Sequence, residues 1–285
     1  MESAFVWTIL MTAAAPAPAV NDAGAAAGAG ADAAVVWKTL APGAERGTAE
    51  AGDVRLEMFR FDLEQYDAEV VVGGRGRSAR AGIGMADGRY TATEVLHGAG
   101  VRAGQVVAVV NGGFFDGNGR SLGLRMIHGA AAVPLRGKVD WGVFSVAGRR
   151  ARIVHSRDFV AEPGIQAAIQ VGPRIVIDGQ VPRLKPQVAR RTAVAIDGDG
   201  RRLTLVVADD AVDAATLGSR LAALGFRWAL LLDGGPSTQL AVAIGRPPAP
   251  AHGSAAAPAA DAEAAGRLEI PGGYPVPDLL AIVRR

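Results

Sequence analysis

Two continuous apolar runs, each followed by a polar residue and two glycines, constrain this chain more than any other feature. Residues 106–110 (VVAVV) lead into residues 111–116 (NGGFFD), and residues 229–232 (ALLL) lead into residues 233–238 (DGGPST). A short continuous apolar run predicts a strand buried on both faces, and glycine lets another backbone or a ligand come close. We call the two polar segments the first and the second glycine loop. Because they share one pattern, we expect them to lie at one end of the same sheet and to face a shared cleft.

The remaining segments predict a mixture of strands and helices. Apolar and charged residues alternate over 54–61, which predicts a half-buried strand. A helix is expected over 216–224, with a strand on either side of it in a βαβ crossover. Further elements are a short helix at 91–99 and strands at 68–72, 142–147, 151–155, 168–171, 174–177, 192–196 and 277–283. The predicted fold class is therefore α+β (mixed α/β), a single domain with a mixed central sheet and a few packed helices.

Two segments rich in alanine, glycine and proline set the expected domain bounds. Residues 1–34 combine an apolar stretch with such a tract and resemble an atypical signal peptide, since Glu2 is the only charge before Asp22. We expect export to the periplasm or the extracellular space, and a domain over 35–285 with a low-complexity insertion at about 245–267. No apolar run reaches the ~18 residues of a membrane-spanning helix.

Composition excludes several classes of site. The chain has no cysteine, so it can form neither disulfides nor thiolate metal sites. Its four histidines are never paired at metal-ligand spacing, and its basic residues are scattered, so neither a zinc site nor nucleic-acid binding is predicted. No cofactor is identified, a divalent metal is left open, and the residues do not indicate an oligomeric state.

Four motifs together resemble one known family. They are NGGFFD at 111–116, QVGP at 170–173, RTA at 191–193 and LDGGPS at 232–237, and they occur in the order found in phosphodiester glycosidases. The resemblance runs from about residue 35 to the C-terminus. It implies a hydrolase that cleaves the C1–O bond of a sugar-1-phosphodiester, with a carbohydrate phosphodiester from an extracytoplasmic glycan as its substrate.

The resemblance also implies roles for particular residues. Cleavage at C1 needs a carboxylate that activates water or attacks the anomeric carbon, which makes Asp233 and Asp116 the catalytic candidates. Arg191 offers a two-pronged contact to phosphate. The predicted substrate-binding residues are Asn111, Gly112, Gly113, Gln170, Arg191, Thr192, Gly234, Gly235 and Ser237.

Each of these residues also has a structural interpretation. Asp233 and Asp116 could be turn residues bound to their own loop amides, Asn111 could serve a left-handed backbone, and Arg191 could form a surface ion pair. At the level of the whole chain, the alternative to an enzyme is a non-catalytic phospho-glycan-binding protein in exopolysaccharide assembly or export. The presence of both aspartates favours the enzyme, because a binding protein would have no need of them.

Overall fold

The computed structural model describes residues 35–73, 88–98, 105–245 and 266–285. The predicted leader (1–34) and residues 246–265 of the predicted insertion lie outside the described residues, so those domain bounds stay a prediction. The described strands are β1 (Lys38–Ala41), β2 (Ala44–Ala51), β3 (Val54–Asp62), β4 (Tyr66–Val72), β5 (Val106–Asn111), β6 (Arg125–Ile127), β7 (Ala130–Val133), β8 (Gly142–Ala147), β9 (Arg150–His155), β10 (Ile165–Val171), β11 (Arg174–Ile177), β12 (Val188–Ile196), β13 (Arg202–Asp213), β14 (Trp228–Leu231), β15 (Leu240–Ala243), β16 (Arg267–Ile270) and β17 (Asp278–Arg284). The described helices are α1 (Ala92–Leu96), α2 (Ala214–Ala223) and one 3₁₀ turn, Gly235–Ser237.

The fold is mostly β, and the predicted α+β class is wrong. Strands hold 52% of the described residues and helices 9%. The predicted strands are present, but six further strands (β1, β2, β6, β7, β15 and β16) had no clear signal in the sequence. Strand β7, for example, is AAAV and largely exposed, so neither alternation nor an apolar run marks it. Pairing with a neighbouring strand, rather than local preference, forms such strands.

The strands form three antiparallel sheets instead of one mixed central sheet. The seven-stranded sheet has the order β1-β2-β3-β13-β12-β14-β11. The β10 sheet has the order β7-β6-β10-β8-β9, and the β5 sheet has the order β16-β15-β5-β17-β4. Phe61, Phe144 and Leu280, one from each sheet, share the largest buried apolar cluster. The inner faces of all three sheets therefore contribute to one core.

The predicted crossover is present in an altered form. Strands β13 and β14 both pair antiparallel with β12, so they run parallel to each other with β12 between them. Helix α2 connects them. Its first turn is capped by the Asp213 carboxylate, which accepts a hydrogen bond from the Ala215 N–H at 2.9 Å. Leu217 and Leu221 bury one face of the helix in a second apolar cluster.

Strands β5 and β14 end at the two glycine loops, but they belong to different sheets. Both strands are buried almost throughout, as their apolar runs predict. The expectation of a single sheet is wrong, because β5 pairs with β15 and β17 while β14 pairs with β11 and β12. The loops nevertheless meet, since the Asp233 N–H donates to the Gly112 carbonyl at 2.9 Å. The site is built at this junction of two sheets.

Candidate active site

Asn111 ties the two glycine loops together. Its amide nitrogen Nδ2 donates to the carbonyl of Asp233 at 2.7 Å. Its Oδ1 accepts from Thr192 Oγ1 at 2.7 Å and from the Gln239 N–H at 3.2 Å. Asn111 and Thr192 are fully buried. Both were predicted to bind substrate, and the structure places them beneath the site, where they join β5, β12 and the second glycine loop.

The glycines of the first loop give room to two charged side chains. Gly112 donates its N–H to the carbonyl of Asp278 at 2.9 Å, and Gly113 donates to Asp278 Oδ1 at 2.7 Å. A Cβ on Gly112 would overlap with Asp278 Oδ1, and a Cβ on Gly113 would overlap with Arg125 Nη2. Only glycine lets the backbone approach these groups so closely.

Asp278 and Arg125 form a buried ion pair. Arg125 Nε lies 3.0 Å from Asp278 Oδ2, and both side chains are 0% exposed. Burying two charges is costly unless their remaining donors and acceptors are also satisfied. Ser121 Oγ donates to Asp278 Oδ2 at 2.5 Å. The Arg125 Nη atoms donate to main-chain carbonyls at 2.9 to 3.3 Å, those of Gly123, Leu124, Gln170 and Phe114.

Sequence reasoning missed this ion pair. Arg125 lies in the short strand β6, which the sequence did not predict, and Asp278 was included in an apolar strand without comment. The available signal was that Asp278 lies directly before the apolar run LLAIV. Asp233 likewise lies at one end of an apolar run, although it follows that run. A charge at the end of a buried strand needs a partner, but the sequence does not say which one.

Asp233 carries the half-buried carboxylate of the site. Its Oδ1 accepts the N–H of Gly234 at 3.0 Å, and its Oδ2 accepts Ser237 Oγ at 2.7 Å. Burial raises the pKa of Asp233 above its usual range, and the negative charge of Asp278 acts in the same direction. The bonds from Ser237 and Gly234 and the charge of Arg125 oppose that rise. The result is a carboxyl group that holds its proton more tightly than an exposed aspartate does.

The second glycine loop has open space on one side. Gly235 has φ +60°, and a Cβ added to it would meet no atom within 4 Å. On the other side, a Cβ on Gly234 would lie 2.9 Å from the Arg190 carbonyl and 3.8 Å from Arg191 Nη1. The loop thus rests on β12 and faces outward beyond Gly235.

Arg191 places a positive charge beside this loop. It is 6% exposed. Its Nε donates to the Val212 carbonyl at 3.3 Å, and its Nη2 donates to the Gln187 carbonyl. Burial lowers the pKa of Arg191, while the charge of Asp213 raises it. Main-chain carbonyls therefore hold two of its nitrogens, and Nη1 points toward the second glycine loop.

Tyr274 completes the described surroundings of Asp233 and was not predicted. Its hydroxyl lies 3.2 Å from Ser237 Oγ. Its ring packs edge-on against Phe115 of the first glycine loop, with centroids 6.2 Å apart. The tyrosine thus contacts both loops, although it lies in a segment that the sequence left without an element.

The side chains of Asp116 and Gln170 form their hydrogen bonds elsewhere in the fold. Asp116 Oδ1 accepts the N–H groups of Asn118 and Arg120, both at 2.9 Å, which is a turn arrangement. Gln170 is fully buried. Its side chain bonds to the main chains of Leu124 and Arg136 and to Ser156 Oγ, as a support for the loop around residue 136. The structure thus brings together Asn111, Gly112, Gly113, Arg191, Thr192, Asp233, Gly234, Gly235 and Ser237, whereas the hydrogen bonds of Asp116 and Gln170 lead away from Asp233.

The described part of the chain lacks two features. Among those residues, no three or more histidine, aspartate or glutamate side chains lie where they could hold a metal ion. In the same ranges, no helix has both the length and the apolar character needed to cross a membrane.

Comparison with known proteins places residues 104–280 in the family model described as phosphodiester glycosidase. An uncharacterized protein of Escherichia coli (strain K12), YigE, is 35% identical over 115 residues, which cover 36% of this chain and 45% of that protein. The match thus spans less than half of that relative.

Solved structures share the fold. The catalytic domain of zebrafish N-acetylglucosamine-1-phosphodiester alpha-N-acetylglucosaminidase, auto-inhibited by its pro-peptide, aligns with a TM-score of 0.57 and 16% identity, over 88% of this chain and 82% of that one. A hypothetical protein from Synechocystis aligns with a TM-score of 0.52 and 13% identity, over 88% and 64%. A Burkholderia pseudomallei K96243 protein described as exported aligns with a TM-score of 0.50 and 12% identity, over 83% and 74%.

Proposed function

Because this chain belongs to the phosphodiester glycosidase family, we propose that it hydrolyses the glycosidic C1–O bond of a sugar-1-phosphodiester. The products are the free sugar and a phosphate monoester. The observation that carries this proposal is the Asp233 carboxylate. It is half-buried where the two glycine loops meet, it is oriented by hydrogen bonds to both oxygens, and its pKa is raised. Such a group can act as nucleophile or base at an anomeric carbon.

The surroundings of Asp233 support a role at C1. Gly234 and Ser237 fix the plane of the carboxylate, and the fully bonded Asn111 fixes the backbone of Asp233. In the proposed reaction, an oxygen from water becomes bonded to C1, while the bridging oxygen leaves with the phosphate. Because a phosphate monoester is a good leaving group, the reaction needs less help from a general acid than ordinary glycoside hydrolysis does.

We assign phosphate recognition to Arg191. Its Nη1 lies beside Gly234, and its other two nitrogens are anchored to carbonyls. Anchoring removes the entropy that a free arginine would lose on binding. The bound phosphate would then lie at the Gly234 side of the second glycine loop, next to the carboxylate that acts at C1.

The proposal includes an extracytoplasmic glycan as the source of substrate. The supporting observations are the apolar N-terminal stretch of the sequence and a structural neighbour described as exported. Its test is the location of the protein in fractionated cells, followed by N-terminal sequencing of the mature chain.

A substrate panel tests the proposed reaction. The full chain is incubated with sugar-1-phosphodiesters, including UDP-sugars, and free reducing sugar is measured. We expect release from at least one phosphodiester by the wild type and strongly reduced release by Asp233→Asn. Tight binding of a phosphodiester with no release by the wild type would contradict the proposal and favour the phospho-glycan-binding protein.

A further inference from the structure

The Tyr274 hydroxyl, the Ser237 hydroxyl and the Asp233 carboxylate form a chain of hydrogen-bonding groups that begins at solvent. Tyr274 is 41% exposed, and its hydroxyl lies 3.2 Å from Ser237 Oγ. Ser237 is fully buried and lies 2.7 Å from Asp233 Oδ2. The buried serine therefore connects the carboxylate to a side chain that reaches water.

The proton count assigns the direction of these bonds. A serine hydroxyl has one proton to donate and can also accept. While Asp233 is ionised, Ser237 must donate to Oδ2, so its oxygen accepts from the Tyr274 hydroxyl. If Oδ2 gains a proton, all the bonds can reverse by rotation of the hydroxyls: Asp233 donates to Ser237, Ser237 to Tyr274, and Tyr274 to water.

The fold holds Tyr274 in place for this contact. Its neighbour Gly273 donates its N–H to the Pro236 carbonyl at 2.7 Å. A Cβ on Gly273 would lie 3.1 Å from Pro236 Cβ, so the two segments are in close contact. The edge-on contact with Phe115 fixes the ring from the other side. The Gly273–Pro236 contact and the Phe115 contact thus hold Tyr274 with its hydroxyl beside Ser237.

We propose that Tyr274 is a positioning residue for Asp233, which acts through Ser237 to stabilise the ionised carboxylate and to pass its proton to and from solvent. The inference rests on the proposed function in taking Asp233 as the catalytic group. Among the residues that the structure describes, the other charged groups that face Asp233 and its loop are Asp278, Arg125 and Arg191. None of these three is altered by the test below.

The first test follows the ionisation of Asp233 without any substrate. The protein is labelled with carboxyl-¹³C aspartate, and the Asp233 resonance is identified by its loss in Asp233→Asn. In Tyr274→Phe the ring is kept, but Ser237 loses its donor and becomes a weaker donor to the carboxylate. We expect the titration midpoint of Asp233 to rise by about 0.5 to 1 pH unit, the scale of one hydrogen bond. Tyr90→Phe removes another tyrosine hydroxyl and should leave the midpoint unchanged.

A double-mutant cycle asks whether the effect passes through Ser237. In Ser237→Ala, the midpoint should rise further than in Tyr274→Phe, because the direct bond to Oδ2 is lost. Adding Tyr274→Phe to Ser237→Ala should then change nothing more. An unchanged midpoint in folded Tyr274→Phe, or an equal shift in the presence and absence of Ser237, would overturn the inference.

The activity readout separates this inference from the proposed function. With a substrate in hand, the limb of the kcat/KM profile that reports Asp233 should move by the same amount as the NMR midpoint. If the midpoint moves while no phosphodiester is hydrolysed by the wild type, the connection between Tyr274 and Asp233 stands and the proposed reaction fails. If hydrolysis depends on Asp233 but the midpoint does not move, the reaction stands and the role of Tyr274 fails.

Discussion

In the first glycine loop both glycines lie against charged side chains, whereas in the second Gly235 faces open space. Their sequences, NGG and DGG after apolar strands, are nearly alike. The Asp278–Arg125 pair occupies the space that the first pair of glycines leaves. The second pair leaves one side of the Asp233 loop uncovered. A glycine pair thus indicates that other atoms can come close to the backbone. Where protein side chains fill that space, the loop supports the fold; where the space is open, the loop can contact a ligand.

The carboxylate beside the first loop and the carboxylate within the second loop also have different partners. Asp278 has an arginine partner, whereas Asp233 has a serine and a backbone N–H. Burial raises the pKa of Asp233, so its folded form binds a proton more tightly than its unfolded form. Ionised Asp233 therefore lowers the free energy of unfolding as the pH rises above about 4, and this cost disappears at lower pH. Keeping such a group is typical of sites that are retained for chemistry.

The largest expected effect is the loss of turnover in Asp233→Asn. Because the amide keeps the shape of the side chain but cannot act as base or nucleophile, kcat should fall by roughly 10² to 10⁴-fold, while KM and stability change little. Asp199→Asn, on the exposed hairpin at the far end of β12, is the matched control. Turnover near that of the wild type would remove Asp233 from the mechanism and erase the distinction between the two loops.

The second effect concerns stability and the other loop. Asp278→Asn leaves the Arg125 charge buried without its partner, so the free energy of unfolding in urea should fall by about 3 to 5 kcal/mol. Asp62→Asn breaks the more exposed pair with Arg201 and should lower the free energy of unfolding far less. If both substitutions cost the same, the buried ion pair does not support the first glycine loop.

Much of the local structure could be predicted from the sequence. The apolar runs of β5 and β14, the alternation in β3 and the leucines of α2 all correspond to observed elements. The four motifs also led to the family that the comparison shows. These signals are local, because each depends on residues within one element.

The parts that could not be predicted depend on contacts between distant residues. Strand β7 exists because it pairs with β6, and β6 because it pairs with β10. Asp278 and Tyr274 reach the first glycine loop from distant segments of the chain. Arg125 reaches it from β6, a strand that forms only through its pairing with other strands. The sequence also could not reveal that Asn111 would use its side chain inside the protein. The motif residues thus locate the site. Only the fold shows which of them support the loops and which are placed to take part in a reaction.

The third effect compares one glycine from each loop. Gly112→Ala would place a Cβ into Asp278 Oδ1, so it should lower the free energy of unfolding by about 1 to 3 kcal/mol or more, the scale of overpacking. Gly235→Ala meets no atom and should cost only about 1 kcal/mol, from its left-handed φ. Gly117→Ala, where nothing lies within 4 Å, serves as the reference. Equal losses at Gly112 and Gly235 would contradict the difference in surroundings.

The smallest effect separates the contact with phosphate from the chemistry at C1. Arg191→Lys keeps the positive charge. The single ammonium group of a lysine, however, cannot reach the Gln187 and Val212 carbonyls and also offer a donor beside Gly234, as the three nitrogens of Arg191 do. The kcat/KM for a sugar-1-phosphodiester should therefore fall by about tenfold, the scale of one charge-assisted hydrogen bond. A neutral aryl glycoside of the same sugar has no phosphate to lose and should be affected much less. Asp233→Asn should reduce both substrates together, since both need attack at C1. If Arg191→Lys lowers both by the same factor, Arg191 supports β12 and the second glycine loop instead of holding phosphate.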